Sequence, residues 1–167
     1  TDVRICDAVD APGVIGVLWP VILLPRDAET WPAARMRVVL LHELAHLRRR
    51  DGLAQLVADL ACAVHWFNPL AWLAAARLRI ERELAADDAV LAAGVRPSSY
   101  AEELLALAGS PTAGALAMAE RSALADRVVA ILSAGRARGP LAARGTALLV
   151  AGTLAIGAVV ACASPEV

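Results

Sequence analysis

Two histidines four residues apart, His42 and His46, with Glu43 beside the first, are the residues of this sequence best suited to chemistry. Around them Val38, Val39, Leu41, Leu44, Ala45 and Leu47 recur at helical spacing without Gly or Pro, which predicts a helix. On a helix, residues i and i+4 stand one above the other, so both imidazoles face the same way. That suits two nitrogen ligands of one Zn²⁺, a single ion per chain, with Glu43 placed to take a proton from a water held there. The plainer alternative is a polar face on a surface helix. Against it, the flanks are apolar and only three histidines occur in the chain.

A hydrolytic zinc site uses three protein ligands and leaves a fourth position for water. A third histidine at HExxHxxGxxH spacing is excluded, because Arg49 stands where the Gly would be and Gly52 where the His would be. Glu83 and Asp87, four apart on a later helix, share a face instead. Glu83 is the expected third ligand. Asp87, one turn on, is expected to accept a hydrogen bond from a histidine and fix its tautomer. The competing reading of both acids is charge pairing with Arg79 or Arg82 on a solvated face.

The elements that must position these groups follow from turn residues and periodicity. A short strand is expected at Val3-Arg4-Ile5. Gly13–Leu18 and Val21–Leu24, joined through Trp19-Pro20, read as a β-hairpin over about 13–25, with Pro20 and Pro25 confining its strands to an edge. Packing alone would explain it; an edge strand that aligns an extended peptide by strand addition is the functional reading. Thr30 is the expected N-cap of the motif helix, with Pro32 in its first turn. Arg48, Arg49 and Arg50 complement its C-terminal dipole, and Asp51-Gly52 is expected to end it.

Leu53 to Val64 is almost wholly apolar, a buried or membrane-resting helix too short to span a bilayer, which takes about 20 residues. His65-Trp66-Phe67-Asn68-Pro69 breaks it, with Asn68 as N-cap and Pro69 at the first position of a long helix to about Ala93, closed by Gly94. Ser99-Tyr100-Ala101-Glu102 has the form of a capping box. A further helix is expected from about Ser122 to Ala134, with Leu124, Val128, Val129, Ile131 and Leu132 inward.

Composition sets the broader class. The 167 residues are 59% hydrophobic with a mean hydropathy of +0.58, above the usual range of soluble proteins, so the chain is expected to be Ala-rich, helical and partly in contact with lipid. A net charge of −1 gives no support to direct nucleic-acid binding. Cys6, Cys62 and Cys162 are too few and too scattered for a disulfide framework or a cysteine zinc site. The chain opens at Thr1, as a piece of a longer protein would, and no secretory signal pattern begins it. Residues 145–163 carry no charge and follow Arg136, Arg138 and Arg144, which predicts a transmembrane helix after a basic linker at 136–144. The arginines put the preceding domain, 1–135, on the cytoplasmic side of a bacterial-type cell membrane.

The blocks PVILLP, HELAHLRRRD, HWFNPLAW and RELAADDAVL, in that order from about Pro12 to Leu132, resemble the integral-membrane zinc peptidases of the BlaR/MecR type, the β-lactam sensor and antirepressor group. The resemblance implies a mainly α, zincin-like fold of the minimal gluzincin kind, with a small N-terminal β-hairpin and a C-terminal transmembrane helix. It matches His42 and His46 to the histidine ligands, Glu43 to the catalytic glutamate, Glu83 to the third ligand and Asp87 to the acid after it. It also implies a cytoplasmic endopeptidase that cuts a DNA-binding repressor, or itself, after a signal. Neither preceding membrane helices nor a penicillin-binding sensor occurs within the 167 residues, so the inducing signal stays open.

The expected reaction is peptide-bond hydrolysis with Glu43 as general base. His65 and Tyr100 are candidate donors to the developing oxyanion, although a locally hydrogen-bonded tip is the plainer expectation for each. The alternative from another class is a membrane-tethered structural or interaction module, with zinc held for architecture alone.

Overall fold

Val21, Ile22, Leu23 and Leu24 form the strand on which the N-terminal sheet is built. In the computed structural model, which describes residues 2–108 and 118–133, β1 (Asp2–Ile5) runs parallel to β3 (Val21–Leu24) and β2 (Gly13–Ile15) antiparallel to it. The order β1-β3-β2 confirms the hairpin and the first strand but corrects the edge assignment: β3 is central. Pro20 and Pro25 lie just outside β3, so no ladder donor is missing and both edges of the strand can pair. Gly16, at φ +87°, makes the turn possible; a Cβ there would sit 2.7 Å from the carbonyl oxygen of Trp19.

Five helices follow among the described residues: α1 (Ala33–Arg49), α2 (Asp51–Val64), α3 (Pro69–Ala92), α4 (Pro97–Ala108) and α5 (Met118–Leu132). Three expected boundaries move. Thr30 does not cap α1; it ends a 3₁₀ turn, with its hydroxyl donating to the Asp27 carbonyl, and Pro32 holds the cap position. Asp51-Gly52 does not end the motif helix. Arg50 does so by adopting φ 55°, ψ 43°, a left-handed corner, and Asp51 then opens α2. The capping box at Ser99 is likewise internal to α4, whose first turn begins at Pro97, a residue favoured there by its fixed φ. Asn68 and Pro69 behave as expected, the Asn68 side chain accepting from the Leu70 backbone N–H.

Two apolar clusters hold these parts together. Ile22, Leu24 and Ala28 pack against Val39 and fasten the sheet to α1. Val38, Val90, Tyr100, Ala101 and Ile131 join α1, α3, α4 and α5. Among the α5 residues whose burial is described, Ile131 alone is fully buried, with Leu124 and Val128 partly so. Val129 and Leu132, expected inward, are exposed, because α5 meets its neighbours along a narrower stripe than its apolar content suggested. The linker at 136–144 and the transmembrane segment at 145–163 lie outside the described residues. Among those described, no helix is long and apolar enough to cross a membrane.

Candidate metal centre

Helix α1 delivers His42 and His46 to one face, and α3 brings Glu83 across from it. His42 Nε2 and His46 Nε2 lie 3.2 Å apart. One Glu83 carboxylate oxygen is 3.5 Å from His42 Nε2 and the other 3.7 Å from His46 Nε2. Bonds of about 2.1 Å to the corners of a tetrahedron separate those corners by about 3.4 Å. The two imidazoles, with one carboxylate oxygen set against each ring, thus converge at separations close to those around a single zinc ion. Among the described residues these are the three that gather into a group able to hold a metal ion.

The far side of each imidazole explains its orientation. His46 Nδ1 is 2.7 Å from Asp51 Oδ2, and Asp51 is buried at the first turn of α2. His42 Nδ1 faces the Tyr100 hydroxyl at 3.0 Å and Asp87 Oδ1 at 3.3 Å. With Nδ1–H donating on both rings, both Nε2 atoms carry lone pairs that point at each other and at a carboxylate. Such a donor set favours a cation among the lone pairs, a proton or a metal ion. The residues therefore fit a zinc ion.

Asp87 is the hub beneath this arrangement. It is 2% exposed and accepts from the Tyr100 hydroxyl and from Arg127 twice, Nε to Oδ2 at 2.9 Å and Nη2 to Oδ1 at 2.7 Å. The same guanidinium reaches Glu83 Oε2 through Nη1 at 3.2 Å. The competing reading paired the α3 acids with Arg79 or Arg82. Arg82 is instead held by Gln55, at 2.6 Å, and faces Asp51.

The electrostatics follow from burial and these partners. Burial alone would lower the His42 pKa, but hydrogen bonds to Asp87 and Glu83 outweigh it and push it up to about 9. The same field of carboxylates favours a cation between the ligand atoms. Burial tends to raise Asp87 and Glu83 too. For Asp87 the Arg127 hydrogen bonds win and hold it well below the usual range; for Glu83 the His42 hydrogen bond and the Arg127 charge lower it. Glu43, 7% exposed and without a comparable donor, is raised by burial. That direction suits a group that must accept a proton near neutral pH.

The cluster lines a cleft of about 1140 Å³ whose walls include Val14 and Val17 from the hairpin region, Trp31, Leu104 and Leu124. His65 is not part of it. It is exposed in the turn after α2, its ring 6.4 Å from that of Phe67, a full helix beyond Asp51. The 14 residues of α2, about 21 Å of helix, separate this candidate oxyanion donor from the end that carries Asp51. Tyr100 borders the cleft but is 1% exposed, with its hydroxyl proton committed to Asp87. Asp51 and Arg127 were missed by sequence reading. Asp51 looked like a helix terminator, and Arg127 lies 40 residues from the acid it pairs with.

Fold and cluster define a class: a mainly helical domain with a two-histidine, one-carboxylate centre at the base of a cleft. Within that class the chain belongs to the BlaR1 peptidase M56 family, which its residues 1–131 match. A stretch of 83 residues, 50% of this chain, is 41% identical to Regulatory protein BlaR1 of Bacillus licheniformis. That stretch spans 14% of the relative's length.

Proposed function

We propose that the chain is the zinc-dependent endopeptidase domain of a membrane-bound signalling protein, hydrolysing a peptide bond in a repressor or in itself after a signal. The observation that carries this is the convergence of His42, His46 and Glu83, whose ligand atoms lie within 4.8 Å of one another in a group able to hold one metal ion. When bound, zinc would supply Lewis acidity and lower the pKa of coordinated water toward ~7. His42, His46 and Glu83 would hold it.

The chain's own residues do the rest. Glu43 follows His42 directly on α1 and lines the same cleft, so its carboxylate accepts the proton of the attacking water and later returns it to the leaving amine. Asp51 and Asp87 hold the imidazoles in one tautomer, and Arg127 holds the Glu83 carboxylate. Val14, Val17 and Leu18 give the cleft an apolar wall beside β2, suited to an extended peptide with apolar side chains.

Bound zinc measured alongside hydrolysis of a general peptide substrate tests this reading. Glu43→Ala should keep zinc and lose proteolysis; cleavage retained by that variant removes Glu43 from the mechanism. Zinc bound with no cleavage by the membrane-reconstituted full chain would favour an architectural site.

A further inference from the structure

Helix α2 is amphipathic in the wrong sense for a water-soluble domain. Leu53, Leu56, Val57, Leu60 and Val64, at i, i+3, i+4, i+7 and i+11, are all exposed, Val57 by 59% and Val64 by 68%. Its inward side carries Asp51, Gln55 and Cys62, which contact His46, Arg82 and the Ala71 carbonyl respectively. The apolar surface continues around the turn into α3, where Trp66 is 72% and Phe67 69% exposed. From 52 to 76, Asp59 is the one charged residue, and it is bonded to Gln55 at 2.7 Å. In sequence, on either side of this apolar stretch, the pattern reverses. Arg48, Arg49 and Arg50 precede α2, Arg77 and Arg79 follow the apolar part of α3, and all five are exposed.

We infer that the α2–α3 hairpin is a lipid-facing surface that beds in the headgroup–acyl boundary of a membrane carrying anionic lipid. Three independent features select lipid. Aromatic tips beside aliphatic stripes match the chemistry of that boundary, where Trp and Phe are enriched. The basic collar lies where anionic headgroups would meet it. The turn also satisfies its own backbone, as a segment leaving water must. The Trp72 indole N–H donates to the Trp66 carbonyl at 2.9 Å, the Asn68 N–H to the His65 carbonyl at 2.8 Å, and the Leu70 N–H to the Asn68 side chain at 3.0 Å. Because Asp51 opens α2 and touches His46, bedding the hairpin holds the metal cluster within roughly one helix length, about 21 Å, of the membrane. This surface is distinct from the segment at 145–163 and independent of whether the cluster cuts peptide bonds.

The test uses the full chain on vesicles of phosphatidylcholine and phosphatidylglycerol, with native cysteines replaced by alanine. A bimane label is placed at Val57→Cys or Phe67→Cys, and at Glu29→Cys as a control. Nitroxide-bearing lipid should quench the Val57 and Phe67 labels several-fold more than the Glu29 label, with the order reversed for aqueous iodide, and the contrast should weaken in phosphatidylcholine alone. Iodide quenching equal to the control would overturn the inference. Protection from both quenchers would also overturn it, since protein and not lipid would then cover the hairpin. A contrast indifferent to lipid charge would overturn the part assigned to the arginines. Since the readout is location, its failure and a failure of peptidase activity are separable.

Discussion

His46 Nδ1 lies 2.7 Å from Asp51 Oδ2, so the first residue of α2 orients an imidazole carried by α1. The left-handed corner at Arg50 makes this contact possible, turning the chain just before Asp51. Asp51→Asn keeps the size and removes the charge. It should weaken zinc binding by about 10- to 100-fold, the usual cost of losing such an outer partner. Competition against a chromophoric chelator measures this. Unchanged affinity would mean that Asp51 serves only the N-terminal dipole of α2.

Arg127 should matter for folding as much as for the site. Arg127→Gln leaves the Asp87 carboxylate buried without its doubly bonded partner. Breaking a buried pair from one side costs about 3–5 kcal/mol. Urea denaturation should show a loss of this order for Arg127→Gln and a smaller one for Arg127→Gln combined with Asp87→Asn. An additive double variant would show that the two residues do not act as a pair.

The pH dependence of stability has a definite sign. Asp87 is held below its unfolded value, chiefly by Arg127 acting against burial. Its contribution is therefore fully present above the unfolded carboxylate pKa of about 3.9 and is lost as pH falls toward the lower folded value. With chelator present to remove metal linkage, Asp87→Asn should flatten the decline in unfolding free energy below about pH 5. Parallel curves for the two proteins would contradict this.

How much of this was legible in the sequence depended on distance along the chain. His42, Glu43 and His46 are one local helical pattern, and Asn68-Pro69 is a local cap, so periodicity and turn chemistry reach both. Glu83 could be found because the histidine pair lacks a third partner within its own helix. Arg127 could not: nothing on α5 marks Arg127 rather than Arg121 as the partner of an acid on α3, and the packing of Ile131 and Val90 in one cluster is what brings those helices together. The central place of β3 was hidden for a related reason. Its parallel neighbour β1 is supplied from far upstream, and the flanking prolines argued for an edge.

The most direct test of the centre is zinc X-ray absorption on the loaded full chain, with metal content measured in parallel. One zinc per chain is expected, with two imidazoles and oxygen ligands, no sulfur, and one imidazole lost in His46→Ala together with at least a hundredfold drop in affinity. Sub-stoichiometric zinc, a sulfur-containing shell, or a spectrum unchanged by His46→Ala would contradict the account.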